Sequence, residues 1–180
     1  GLCADFSAKP LENEPGNGFH INMSVRPNET SENLCYMIAG ILDKVEEMTA
    51  FLNPTENSYQ RFGKNKAPGY VSWSSENRSQ LVRIPAAVGE YRRAEIRSPD
   101  PTANPYLAFA LMIYAGLYGL QNKLDMPNAA NLNFYKADAE TLAGFKKLPE
   151  NLREACKLAA ESEFIREHVS AAILDIYCNQ

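Results

Sequence analysis

The 180 residues predict an α+β fold, with an antiparallel sheet in the first half and helices in the second. Three patterns carry that expectation. Residues 18–25 alternate strictly between apolar and polar, short β-type segments between 70 and 98 are punctuated by turn residues, and helix-period runs dominate after Asn104. At 45% hydrophobic residues the chain can bury one core, and residues 1–180 read as a single domain.

In order, GFHINMSV at 18–25 sends Phe19, Ile21, Met23 and Val25 to one face of a strand and His20, Asn22 and Ser24 to the other. Leu34, Met37, Ile38, Ile41, Leu42, Val45 and Met48 follow the helical period, so 33–51 is an amphipathic helix with Thr30 or Ser31 as its cap. Residues 53–69, polar with two prolines and two glycines, read as a long loop, a kind of segment that is usually functional. Short strands are expected at 70–74, 80–84 and 92–98. Asn104-Pro105 starts a helix through Leu120 whose apolarity on all sides predicts burial. Beyond a polar linker, helices are expected over 138–147, 149–160 and 163–177.

Composition excludes several roles. No run approaches the ~18–20 apolar residues of a membrane span, and no leader pattern opens the chain, so a soluble cytoplasmic protein without a membrane partner is expected. Cys3, Cys35, Cys156 and Cys178 form no CxxC pair and read as free thiols, most of them buried. The net charge of −4 argues against nucleic acid as a partner. Yet residues 61–97 carry +5 and leave −9 to the rest, an island suited to a small anionic ligand, or else a solvated basic surface.

Arg93, Glu95 and Arg97 share one face of a predicted strand, where charges must be solvated, paired or bound to something charged. His20 offers a ring nitrogen from another strand, and with Glu95 it is a candidate pair of ligands for a divalent cation. Arginines beside them suit phosphate, because the guanidinium fork matches its oxygens.

Four blocks in order carry a resemblance. GNGFHINMS at 16–24, NPTENSYQR at 53–61, NRSQLVRIP at 77–85 and RRAEIRSPDPTANPYLAFALMIYAGLYG at 92–119 resemble the conserved blocks of the glutamine synthetases, and ADFSAKP at 4–10 and residues 148–169 also have counterparts there. The resemblance implies the C-terminal part of a glutamine synthetase/guanido kinase-like catalytic domain and an ATP-dependent ligation of ammonia to the γ-carboxylate of glutamate through an acyl phosphate. It further implies Mg2+ or Mn2+ as cofactor, ATP as co-substrate, and a ring-shaped homo-oligomer for the full-length protein. By the same resemblance, His20 and Glu95 bind metal, while Gly16, Arg61 and Arg97 hold the amino acid substrate. Arg61, Arg78, Arg83 and Arg97 carry catalysis, and Asn22, Ser24, Arg83 and Arg93 contact ATP. The family's other metal ligands lie upstream and a neighbouring subunit completes its site, so this stretch alone is expected to hold half an active site and to show no turnover.

The chain departs from the family in its flap, FGKNKAP, where Lys66 stands in place of a glutamate, and at Pro15, in place of an asparagine. An organic amine or another carboxylate therefore remains an alternative to ammonia and glutamate, and a non-catalytic nucleotide-binding or scaffolding domain is a further reading. Tyr135 reads as an ordinary exposed aromatic, His168 as a core or boundary residue and Trp73 as core.

Overall fold

A computed structural model describes residues 1–26, 31–87 and 89–179. Strand β1 (Ile21–Met23) keeps the expected alternation: Phe19, Ile21, Met23 and Val25 turn to the core, while His20, Asn22 and Ser24 stay exposed. It is the first strand of a four-stranded sheet ordered β1-β4-β3-β2, with β2 at Trp73–Ser74, β3 at Val82–Arg83 and β4 at Ala94–Ile96. β4 runs antiparallel to both β1 and β3, setting Glu95 opposite Asn22 on one side and Arg83 on the other.

Two features of the sheet differ from expectation. The strands are short, and β2 pairs with β3 in parallel, so the sheet is mixed. The reason lies in residues 75–81. The Asn77 N–H donates to Ser74 Oγ at 3.0 Å, and Asn77 Oδ1 accepts from the Ser79 N–H at 2.9 Å. These turns return the chain beside β2 in its original direction, a use of short polar side chains as local backbone partners.

Helix α1 (Ser31–Leu52) lays Ile38, Ile41, Val45, Met48 and Phe51 into the core, where all are fully buried. Of its two candidate caps, Thr30 lies outside the described residues. Helix α3 (Pro105–Asn122) starts as expected, with Asn104 Oδ1 accepting from the N–H groups of Tyr106 and Leu107. It crosses α1 at glycines: a Cβ on Gly40 would lie 2.1 Å from the Ala115 carbonyl oxygen, and one on Gly119 would lie 2.0 Å from that of Tyr36. The helices therefore meet backbone to backbone.

The predicted burial of α3 holds on one side only. Ala108, Leu111, Met112 and Ala115 are buried, but Tyr106 is 85% and Ile113 51% exposed. Apolarity on every face reports what a helix tolerates and not what covers it.

The expected loop at 53–69 contains a helical turn, α2 (Glu56–Tyr59), closed by a reciprocal box between Thr55 and Ser58. Polar caps start the helices after α3: Asp138 for α4 (Ala139–Leu142), Asn151 for α5 (Leu152–Glu161) and Ser162 for α6 (Glu163–His168). The predicted helix 163–177 is two. Val169 is extended at φ −123°, and Ser170 caps α7 (Ala171–Cys178) by accepting from the Ile173 N–H. Among the described residues no helix is long and apolar enough to cross a membrane.

Candidate active site

The polar face of the sheet opens into a cleft of about 320 Å³ at the end where β1 begins. Its walls bring together Gly16, His20, Arg61, Arg78, Arg83, Glu95 and Arg97, with Pro15 and Lys66 at the edge. Against the cations Arg61, Lys66, Arg78, Arg83 and Arg97 the lining sets one carboxylate, Glu95. Such a concave excess of fixed positive charge is suited to a compact polyanion.

Glu95 is the hub. Its Oε1 lies 3.1 Å from His20 Nδ1 and 3.1 Å from Arg97 Nη1, and its Oε2 lies 3.0 Å from Arg83 Nε. The Arg83 contact is an ion pair without an aligned hydrogen bond, leaving the buried Oε2 without a directional donor. Burial works to raise the Glu95 carboxyl, but Arg97, Arg83 and His20 together hold it below its ordinary range. Burial and Arg97 push His20 down, against the pull of Glu95, so the imidazole is neutral at pH 7 and keeps a lone pair to share.

Arg61 is buried in the floor. Its Nη1 donates to the Ser98 carbonyl at 3.0 Å and lies 3.8 Å from Asp100 Oδ2. Asp100, fully buried, accepts from Asn53 Nδ2 at 2.9 Å and from the Thr102 N–H at 2.9 Å. A buried arginine needs such a partner, because an unpaired buried charge is costly. The glycine at 16 makes room for it: a Cβ there would lie 2.7 Å from Arg61 Cγ and 2.4 Å from the Ala8 carbonyl oxygen. Gly18 does the same for His20, whose Nε2 would be 2.9 Å from an added Cβ. The N-terminal segment is held in place by paired bonds between Lys9 and Asn57 and by the Phe19 N–H on the Pro99 carbonyl.

Asn22, Ser24 and Arg93 do not line the cleft. They continue along the same face of the β1-β4 pair, where Asn22 stands opposite Glu95, and all three are exposed.

A family model described as "Glutamine synthetase, catalytic domain" matches residues 1–180. The chain belongs to that family. It is 41% identical to a glutamine synthetase of Methanosarcina mazei, covering 98% of this chain and 43% of that protein. Glutamine synthetases of Pyrococcus horikoshii and Staphylococcus aureus are 39% and 37% identical over 96% and 99% of this chain. The chain thus spans about 43% of the length of the curated relatives it matches. A solved GmaS/ADP complex superposes with a TM-score of 0.80 at 26% identity, over 96% of this chain and 44% of that one.

In this glutamine synthetase-family chain the flap segment, residues 62–68, turns beside the cleft and sets Asn65, Lys66 and Ala67 in its wall. Asn65 and Lys66 both take left-handed backbone, at φ 46° and 72°, which costs an ordinary residue roughly 1–2 kcal/mol. Arg97 Nη2 holds the flap by donating to the Lys66 carbonyl at 3.1 Å, and the Tyr135 hydroxyl donates to the Ala67 carbonyl at 3.2 Å. Tyr135 is therefore more than a solvent-facing ring. Phe62 and Gly63 of the same segment, with Tyr59, Tyr70, Phe134 and Tyr135, line a second, aromatic hollow of about 430 Å³, so the segment borders both.

Sequence reasoning missed Asp100, Asn53 and the flap role of Tyr135. A signal existed for the first two: an aspartate and an asparagine each placed directly before a proline, at 100 and 53. His168 sits as expected at the boundary, its Nδ1 2.8 Å from the Phe164 carbonyl and its ring against Tyr114. Trp73 is half-buried, its Nε1 donating to the Pro127 carbonyl at 2.7 Å.

Proposed function

We propose that this chain supplies the nucleotide-phosphate and carboxylate half of an active site that, in the full-length protein, joins ammonia to the γ-carboxylate of glutamate at the expense of ATP. The observation that carries this reading is the convergence of Arg61, Arg78, Arg83 and Arg97 on one cleft with the His20–Glu95 pair. Glutamine synthetase relatives and the ADP bound by the GmaS neighbour support it.

Each residue has a physical task. Arg61, rigid and buried beside Asp100, is suited to fix the substrate carboxylate. Arg78, exposed, and Arg83, half-buried, reach into the cleft where a transferring phosphoryl group gathers negative charge, and fixed cations there lower the barrier. Arg97 links that charge to the flap through the Lys66 carbonyl. Asn22, Ser24 and Arg93, further along the sheet, line a path for the rest of the nucleotide.

The donor set fits half of a divalent-cation site. His20, neutral, and Glu95, ionised with a buried oxygen lacking a directional donor, are two ligands for Mg2+ or Mn2+. Among the described residues no third acidic, histidine or cysteine side chain joins them. The cation, when held, neutralises phosphate charge and polarises the phosphoryl group. A ring-shaped homo-oligomer and a cytoplasmic location belong to the same reading.

Lys66 favours a second reading for the nitrogen donor. A cation at the edge of the cleft does not recruit ammonium, so an organic amine is the alternative. The test is ADP release by the full-length protein with ATP, glutamate and magnesium, comparing ammonium with primary amines. Release dependent on ammonium supports the first reading and release only with an organic amine the second; no release with any amine sinks both.

A further inference from the structure

Residues of α1, α3 and α6 line a groove of about 450 Å³ that shares none of its lining with the cleft. Tyr114, Leu117 and Tyr118 of α3 supply one wall, and α6 supplies Phe164 and His168 together with two carboxylates, Glu163 and Glu167. One ammonium group already sits here: Lys44 Nζ of α1 lies 4.7 Å from the centre of the Tyr118 ring. Its charge is answered on its own helix, at 3.1 Å from Asp43 Oδ2 and 3.6 Å from Glu47 Oε1. Glu163 and Glu167 make no ion pair among the described residues, and Arg166, which lies between them in sequence, donates instead to the Ala160 carbonyl at 2.8 Å.

We propose that this groove is a binding site for a free alkylammonium ion, held with its charge against the aromatic rings and the two glutamates and its carbon chain on Leu117. Four observations converge. An aromatic face attracts a cation through its quadrupole, and the seat of Lys44 on Tyr118 shows that interaction in this very groove. The opposite wall is an aromatic stack, with Tyr114 and His168 rings 4.1 Å apart and His168 and Phe164 rings 4.7 Å apart, while Tyr114 and Leu117 remain 42% and 43% exposed. Glu163 and Glu167, four residues apart, share one side of α6 and leave it with uncompensated negative charge. The volume lies in the range of small-molecule sites.

The same observations select among cations. Among the described residues no three acidic, histidine or cysteine side chains gather as a metal site, so Glu163, Glu167 and His168 are too dispersed for a bare divalent ion and suit an extended organic one. His168 Nδ1 lies 2.8 Å from the Phe164 carbonyl oxygen, which only accepts, so this nitrogen carries the proton and Nε2 of the neutral ring is left as an acceptor for an N–H. A primary ammonium has three such donors and keeps its charge at neutral pH.

The experiment titrates n-butylammonium into the 180-residue chain and follows the ring signals of its two histidines by NMR, His168 reporting on the groove and His20 on the cleft. The His168 signal is assigned by its loss in His168→Gln. It should move to saturation with a dissociation constant of about 1–10 mM, as suits a ligand of few atoms, while His20 stays still. 1-Butanol, of the same size without the charge, should bind at least about tenfold more weakly, and the double variant Glu163→Gln, Glu167→Gln about fivefold more weakly or less. A still His168, a shift at His20 in its place, equal binding of 1-butanol, or a double variant that binds unchanged would overturn the proposal. Nα-acetyl-lysine methylamide binding about tenfold more tightly than n-butylammonium would also overturn it, by assigning the groove to a lysine of a partner protein. Both glutamates are exposed and their replacements keep the size of the side chain, and the comparison with 1-butanol on the parent chain decides the matter even if the double variant fails to fold.

Discussion

His20 Nδ1 and Glu95 Oε1 stand 3.1 Å apart, across two antiparallel strands, with Arg97 Nη1 at the same distance from that carboxylate oxygen. The imidazole is held neutral while the carboxylate is held ionised, and the two shifts have opposite sources. Burial and Arg97 lower His20; Arg97, Arg83 and His20 overcome burial to lower Glu95. Replacing Glu95 with glutamine removes the influence that raises His20, so its titration should move to still lower pH. With only two histidines in the chain, an NMR titration resolves it; an upward shift contradicts the assignment of causes.

The lowered values also set a pH dependence of stability. For Glu95 the folded value lies below the unfolded one, so its contribution is present above the ordinary carboxylate range and lost as pH falls through the folded value. For His20 the folded value is again the lower, and the unfolded chain binds the proton first, so stability declines as pH drops below about 6.5. Both slopes have one sign. Melting should therefore fall steadily on acidification from neutrality, and His20→Gln should remove the upper part of that decline.

Removing the partner of Arg61 is expected to be severe. Asp100→Ala leaves a buried guanidinium uncompensated and strips acceptors from Asn53 and Thr102, for a loss of about 3–5 kcal/mol in denaturant unfolding. Asn53→Ala should cost less, about 1–3 kcal/mol, because it removes hydrogen bonds and no charge. Equal losses would mean that the ion pair is not the dominant interaction.

Gly40→Ala sets two effects against each other. Helix propensity favours alanine by about 1 kcal/mol, but the added Cβ meets a backbone oxygen at 2.1 Å and forces α1 and α3 apart. Overpacking of a core typically costs about 1–3 kcal/mol and the immovable partner places this site at the upper end, so net destabilisation is expected. Gly63→Ala meets open space, yet its φ of 71° makes it cost about 1 kcal/mol for a different reason. Urea unfolding of both variants checks the order.

Tyr135→Phe deletes only the hydroxyl that holds the Ala67 carbonyl. Global stability should change by about 0.5–1.5 kcal/mol, while amide exchange across 63–67 accelerates well beyond that of α1. Uniform acceleration throughout the chain would show that the flap is not held separately.

Elements with a strong period were legible in the sequence, and those made by side-chain caps were not. The alternation at 18–25 and the helical period of 33–51 are tertiary demands written at fixed intervals, and both survive in the structure. The turn at 56–59 rests on one Thr55–Ser58 exchange inside a polar stretch, which carries no periodic signal. The break between α6 and α7 was hidden because helical patterning runs on through Val169, and Ser170, though a favoured cap, is a residue that helix interiors tolerate. The cleft residues were found by their motifs; Asp100 was not, since an aspartate before a proline announces a turn and not its burial against Arg61, a contact across 39 positions.

The flap's position between the charged cleft and the aromatic cavity has an evolutionary meaning. Phe62 and Gly63 belong to one hollow and Lys66 to the other, while the Tyr135 hydroxyl reaches Ala67 between them. Because one short segment borders both hollows, a change of volume on its aromatic side is expected to shift the charge on the other. Drift at Phe62, Tyr70 or Phe134 is thus not neutral for the cleft, and among diverging relatives these aromatic positions should co-vary with the flap residue at 66.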